Sequence, residues 1–473
     1  MHLHIRASYA DLYHLAMGQA WFRDGLADKR AHFDYFFRRL PFEGGSVVFA
    51  GLADLLAILA EWRFDDDDLA YLTDRGFDSD YVAHLRDLRF RGRVEAPREG
   101  EVMFPTEPVL RVEGSVLETQ LVETIVLNVL NFQSLIATKA ARMRSVAGDA
   151  VLSEFGLRRA QGPGGVMAAR AAIIGGFDST SDVYAAERYG LRSEGTMAHS
   201  FIQWHADELT AFRRFAEARP EETVLLVDTY DTLRSGVPNA ITVAREMEAR
   251  GERLRAIRLD SGDLAFFARR ARAMLDDAGL GYVKIAASNQ LDEYVIRSLR
   301  EQRAPIDIFG VGTSLVTGHP DGALDGVYKL ASAEGEPRIK LSENLIKVTL
   351  PGRKQTHRYF DRDGRFAGID GVALDDEPPP ERLTHPFEEH KSLSCRGMRS
   401  EPLLAPVMDD GELVDAPRSV DAIKAYAAER LELLPPEYRR FENPHIYKVG
   451  LSDKLRDLRN DLRRAHTDDK AAT

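Results

Sequence analysis

Residues 224–263 read VLLVDTYDTLRSGVPNAITVAREMEARGERLRAIRLDSGD. The apolar run VLLV stops at Asp228, a helical pattern follows from about Val237 to Arg250, and a second run, LRAIRL, stops at Asp260, Ser261 and Asp263. The segment therefore reads strand, helix, strand, with carboxylates and hydroxyls where each strand ends. In parallel α/β folds, ligands sit beyond the carboxyl ends of the strands. Polar residues there are candidates for function, although Ser235 and Asp263 are equally good helix N-caps.

The same texture extends on both sides. Strand-like runs end near Glu154, Thr196, Asp228, Asp260, Ser288 and Gly310. From Asp228 onward these ends are 32, 28 and 22 residues apart, the length of one β/α unit. Segments 264–278 and 291–302 carry helical periodicity. The expected fold class is α/β, with a barrel-like or partly open parallel sheet over residues 149–345. Before it, residues 1–148 read as a separate α/β region. It has a helix over 8–28 with Leu12, Leu15, Ala16, Gln19 and Phe22 on one face, and a strand over 31–40. An acidic helix start lies at 65–68, a β-rich stretch at 88–114, and one long helix from Leu117 to Ala147. After it, residues 346–473 form a C-terminal region expected to pack back on the first. DDEPPPE at 375–381 is a stiff connector, and 417–432 and 451–465 are helices.

Composition bounds the function. The chain has 473 residues, 44% of them hydrophobic, and a formal net charge of -12. Such an acidic balance disfavours non-specific nucleic-acid or membrane-surface binding, yet leaves room for a local basic pocket. The lone Cys395 rules out an internal disulfide, and no Cys/His spacing suggests zinc. The first residues lack a continuous apolar run, and no stretch reaches the roughly 18 apolar residues of a membrane span. A cytoplasmic protein is expected.

Several strand ends could carry chemistry. In EFGLRRAQGPGG (154–165), Arg158 and Arg159 suit a phosphate or carboxylate, and the glycines let backbone amides approach an anion; a bare Arg pair is otherwise a surface ion pair. His199 follows Thr196 in EGTMAHS, although a lone histidine is more often structural. Arg258 and Asp260 share one face of a strand, either as an ion pair or as two contacts to one ligand. IAASN (285–289) and IFGVGTSLVT (308–317) both run from a strand into small polar residues, as barrel phosphate sites do.

Taken together, DLYHL (11–15), FFRRLPF (36–42), FGLRRAQGP (155–163), GTMAHS (195–200), LLVDTYDT (225–232), SGVPNAI (235–241), IRLDSGDL (257–264), FGVGTSLVT (309–317) and NPHIYKVGLSDKL (443–455) resemble the nicotinate phosphoribosyltransferase family, in the same order along the chain. Small departures from the family pattern are Ala10 and His14 around DLY, and Trp204 and His205 after GTMAHS.

The resemblance implies the type II phosphoribosyltransferase fold, an α/β sandwich domain beside an irregular, incomplete α/β barrel, usually a homodimer with shared active sites. It implies ATP-coupled transfer of phosphoribosyl from 5-phosphoribosyl 1-diphosphate to nicotinate, with Mg²⁺ on the diphosphate and metal ligands not assigned. This is a ligase-class step of NAD salvage. By the same resemblance His199 takes the phosphoryl of ATP, and Asp228 holds and polarises it. Tyr13, Phe155, Thr196 and Arg258 bind nicotinate. Asp260 faces the ribose hydroxyls, Ser288, Asn289, Gly312 and Thr313 line the phosphate site, and Arg158 and Arg159 meet the diphosphate. The rival readings are a nicotinamide phosphoribosyltransferase and a barrel that only binds a nucleotide.

Overall fold

The computed structural model describes residues 5–344 and 347–471, so the expected boundary at 345/346 falls outside the described residues. The chain forms two compact units. One is built from Met1–Leu135, Ala323–Arg418 and Ala425–Thr473, the other from Ile136–Gly322 and Ser419–Lys424.

The second unit holds the predicted parallel sheet. Its six strands run in the order Ser179–Thr180, Val151–Glu154, Ile308–Val311, Lys284–Ser288, Ala256–Leu259, Val224–Leu226. Every neighbouring pair is parallel. The sheet is open, with Ser179–Thr180 and Val224–Leu226 at its edges. Helices Val237–Ala249, Leu264–Asp277 and Glu293–Glu301 return the chain between strands, each within a few residues of its expected bounds. Asp263 and Asp292 cap the last two, so Asp263 is a structural cap. One expectation fails: no strand ends at Thr196. That residue lies in the loop before helix His199–Trp204, and the sixth strand is the two-residue Ser179–Thr180 instead.

In the first unit a seven-stranded sheet has Arg30–Phe37 between Gly326–Ala333 and Leu110–Ser115, antiparallel to both. Burial does not alternate along this central strand, because it is covered on both faces. Its polar residues are buried as partners: Asp34 lies 2.7 Å from Lys354 Nζ and 3.0 Å from His32 Nε2. The aromatic and aliphatic core includes Phe33, Tyr35, Phe37, Trp62 and Leu121. A second sheet of six strands carries Arg358 fully buried, with Glu101 at 2.5 Å and Asp370 at 2.7 Å.

Two further expectations change here. The long helix from Leu117 breaks at Val122, into Val116–Leu121 and Glu123–Ala147; a Ser115–Glu118 capping box starts the first piece. The first helix is Leu12–Arg23, and it buries His14, Leu15 and Gly18, leaving Leu12 and Tyr13 about half exposed. Gly18 explains the rotated face, since an added Cβ there would run into Leu117 and Tyr81. No helix among the described residues is long and apolar enough to cross a membrane.

Candidate active site

Arg258 organises the carboxyl end of the open sheet. It stands in Ala256–Leu259, in register with Leu226 on one neighbour and Ala286 on the other. Its guanidinium spreads over three segments. Nε donates to Ser288 Oγ at 2.9 Å, Nη1 to Thr196 Oγ1 at 2.8 Å, and Nη2 to Asp260 Oδ1 at 2.7 Å. Asp260 also accepts the Ser288 hydroxyl. Burial by itself would raise the Asp260 carboxyl; the Ser288 hydroxyl and the Arg258 charge outweigh it and hold the group below its ordinary range. Thus the Arg258–Asp260 ion pair exists, within a wider network.

His199 is the first residue of helix His199–Trp204 and reaches the same cluster. Its Nδ1 lies 3.1 Å from Thr229 Oγ1, and its Nε2 3.8 Å from Asp260 Oδ2. The His199 side chain keeps 41% of its surface exposed. Asp228 was expected against this ring, but the structure gives that place to its neighbour Thr229. Asp228 turns instead to the next strand end, accepting the Asp260 N–H at 2.9 Å and the Ser261 hydroxyl at 2.6 Å. Backbone amides just past a strand have lost their ladder partners, and a carboxylate at the neighbouring strand end satisfies them. The other oxygen, Asp228 Oδ1, is buried without a hydrogen-bond partner among the described residues. His205 is engaged elsewhere: its Nδ1 contacts the Phe201 carbonyl at 2.8 Å, within its own turn.

The loop before His199 is pinned from below. Glu194 accepts from Arg255 at 2.5 Å and from Arg192 at 2.7 Å, while Arg258 holds Thr196. After Asp228 the chain makes a π-turn, Thr232–Gly236, before its helix. Gly236 packs so tightly under Val227 that any side chain would strike the Val227 carbonyl. Ser235, offered above as a cap, instead donates to buried Glu208.

The remaining candidates flank this centre. The Phe155 N–H donates to Val311 O at 2.7 Å, which lays the FGLRR turn beside GVGTS. Its ring centroid lies 5.8 Å from Arg258 Cζ. Arg158 and Arg159 are exposed on the single 3-10 turn Leu157–Arg159. Asn289 is exposed just past Ser288 with φ 77°, an unusual conformation for a non-glycine residue. Gly312 and Thr313 open the one-turn helix Thr313–Val316. Tyr13 belongs to the other unit and is 52% exposed. Sequence reasoning named Ser261 at its strand end but passed over Thr229 and Glu194. Thr229 stands inside a motif quoted for its carboxylate, so the hydroxyl beside that carboxylate was the available signal.

Comparison with known proteins bears on this arrangement. Family models described as nicotinate phosphoribosyltransferase match residues 9–131 (N-terminal domain), 150–365 (the family) and 353–459 (C-terminal domain). A nicotinate phosphoribosyltransferase of Bacillus subtilis is 43% identical over 97% of this chain and 95% of its own length. One from Caenorhabditis elegans is 35% identical over 94% and 91%. The crystal structure of human nicotinic acid phosphoribosyltransferase superposes with a TM-score of 0.86 at 33% identity, covering 96% of this chain and 99% of that one. A nicotinate-nucleotide pyrophosphorylase from Pyrococcus furiosus gives 0.71 at 26% identity, over 90% and 95%. The open barrel and its companion sheets are the type II phosphoribosyltransferase fold. With the motifs in order, the models spanning most of the length and the whole fold superposed, the chain belongs to the nicotinate phosphoribosyltransferase family.

Proposed function

We propose that this protein transfers phosphoribosyl from 5-phosphoribosyl 1-diphosphate to nicotinate, with ATP hydrolysis coupled to the transfer, as a cytoplasmic step of NAD salvage. The pyridine nitrogen forms a bond to C1 of the ribose as the bond from C1 to diphosphate breaks, giving nicotinate mononucleotide and diphosphate. The observation that carries this reading is the Arg258 fork, held half-buried by Ser288, Thr196 and Asp260. Nicotinate is an anion entering a site that also receives phosphates. A fixed guanidinium offsets that repulsion, and the Nη2 N–H not given to Asp260 is left for a carboxylate. Phe155, beside Arg258, and Tyr13 of the partner subunit in a homodimer would face the ring.

The transition state has oxocarbenium character, so catalysis rests on placing the reactants and on holding the diphosphate charge. Asp260 would receive the ribose hydroxyls. Ser288, Asn289, Gly312 and Thr313 would cradle phosphate, with Arg158 and Arg159 toward the diphosphate. Among the described residues no group of three or more His, Cys, Asp or Glu could hold a metal ion. The unpartnered Asp228 Oδ1 and the Asp260 carboxylate suit instead a Mg²⁺ that arrives on the diphosphate, since Mg²⁺ is usually held by one or two carboxylates plus phosphates. Bound there, Mg²⁺ would neutralise part of the phosphate charge.

His199 would accept the γ-phosphoryl of ATP. Thr229 faces Nδ1, so Nε2 is the nitrogen left to attack, forming an N–P bond as the bond to the ADP oxygen breaks.

Four outcomes check these assignments. Arg258→Ala should raise the nicotinate KM by the equivalent of about 2–5 kcal/mol, the cost of losing a desolvated charge partner. Nicotinamide, lacking the charge, should suffer less; equal losses would make Arg258 structural only. Ser288→Ala removes the hydrogen bond that does most to keep Asp260 acidic. A carboxyl with a depressed pKa contributes its interactions above its unfolded value and loses them as pH falls through the folded value. The acid limb of kcat/KM should therefore move to higher pH in Ser288→Ala, and an unmoved limb would show that Asp260 does not set it. His199→Asn should lose the label from γ-labelled ATP and its stimulation of product formation, whereas labelling equal to wild type would transfer the role to His205. Finally, mixing inactive Tyr13→Ala and His199→Ala chains should restore part of the activity; a fully active monomer would end the shared-site reading.

A further inference from the structure

Gly310 stands in strand Ile308–Val311, opposite Ser153 on one neighbour and Ser288 on the other. Its backbone is not in the left-handed region, so conformation does not demand glycine there. Space does. A Cβ added at Gly310 would lie 2.5 Å from Phe155 Cδ2 and 2.7 Å from Cε2, closer than real side chains approach. The Phe155 ring thus fills the volume that any other side chain at 310 would occupy.

The ring has no easy retreat. The Phe155 N–H is fixed to Val311 O at 2.7 Å. The next amide, Gly156 N–H, is held by the buried Glu154 carboxylate, which also accepts the Thr180 hydroxyl at 2.6 Å. Gly156 in turn abuts Val316, leaving no room for the turn to shift that way. With the backbone held, a side chain at 310 drives the ring off the strand, and Arg258 Cζ stands 5.8 Å from its centroid.

We infer that Gly310 is a positioning residue for the aromatic substrate: its missing side chain seats Phe155 low on the sheet and so sets the space that a planar, carboxylate-bearing heteroaromatic ring takes beside Arg258. The inference rests on the reading of Phe155 as a nicotinate contact. Gly310 itself need not touch substrate.

The test is a double-mutant cycle of Gly310→Ala and Phe155→Ala in the full-length enzyme, with steady-state kinetics and thermal melting for each. Gly310→Ala should raise the nicotinate KM about five- to tenfold, the scale of one aromatic contact, and leave kcat within about twofold. In the Phe155→Ala background the same change should alter KM less than about twofold, because the clash is gone. The same fold-increase in both backgrounds, or none in either, overturns the inference while leaving Phe155 as a contact. A Phe155→Ala enzyme with wild-type KM removes that contact and the inference together. Should Gly310→Ala fail to fold alone, a double variant that melts with Phe155→Ala supports the inference, and a double variant that also fails to fold overturns it.

Discussion

One half-buried guanidinium sets the terms for the rest of the site. Arg258 cannot leave the end of the sheet without stranding the groups around it, and each of those groups comes from a different part of the chain. Ser288 belongs to the next strand, Asp260 to its own, and Thr196 to the loop that leads into the histidine helix. A charge in such a place costs free energy unless its donors are met. Meeting them with three side chains locks strand ends and loop into one geometry before any ligand arrives. Preorganisation of this kind spares the reacting complex the work of orienting dipoles.

That network also explains the division of labour between the two aspartates. Asp260 is tied to Arg258 and lies near His199, so its charge is felt by both candidate functional groups. Asp228 spends one oxygen on a backbone amide and a hydroxyl of the adjoining turn. It supports the floor of the site, and the ring it was expected to hold rests on Thr229.

How much of this could be read from the residues alone follows from where the determining physics lies. The parallel sheet was legible because each β/α unit repeats an apolar run, a polar stop and a helix, and Asp228, Asp260 and Ser288 mark the stops. The strand Ser179–Thr180 was not, since two residues carry no periodicity. Thr196 imitated a strand end because a loop pinned by Glu194 and Arg258 has the same small, polar composition. The buried face of Leu12–Arg23 was displaced by His14 and Gly18, whose placement depends on the elements opposite them. The choice of Thr229 over Asp228 lies in the register between neighbouring strand ends, which no single segment encodes. Gly310 was read as a strand end, but its close approach to Phe155 is a property of two strands brought together.

The first unit closes only across a long stretch of chain. Arg30 N–H is met by the Glu334 carboxylate, 304 positions away, where Gly326–Ala333 completes one side of Arg30–Phe37. At roughly 5–20 residues per second of synthesis, the ribosome needs about 15–60 s to make that intervening chain. All strands of the barrel sheet are finished within it, while the apolar strand Arg30–Phe37 waits with one edge unpaired. An open edge of this kind pairs with whatever strand meets it first. Until residue 333 emerges, that edge of the strand depends on whatever else shields it from stray pairing.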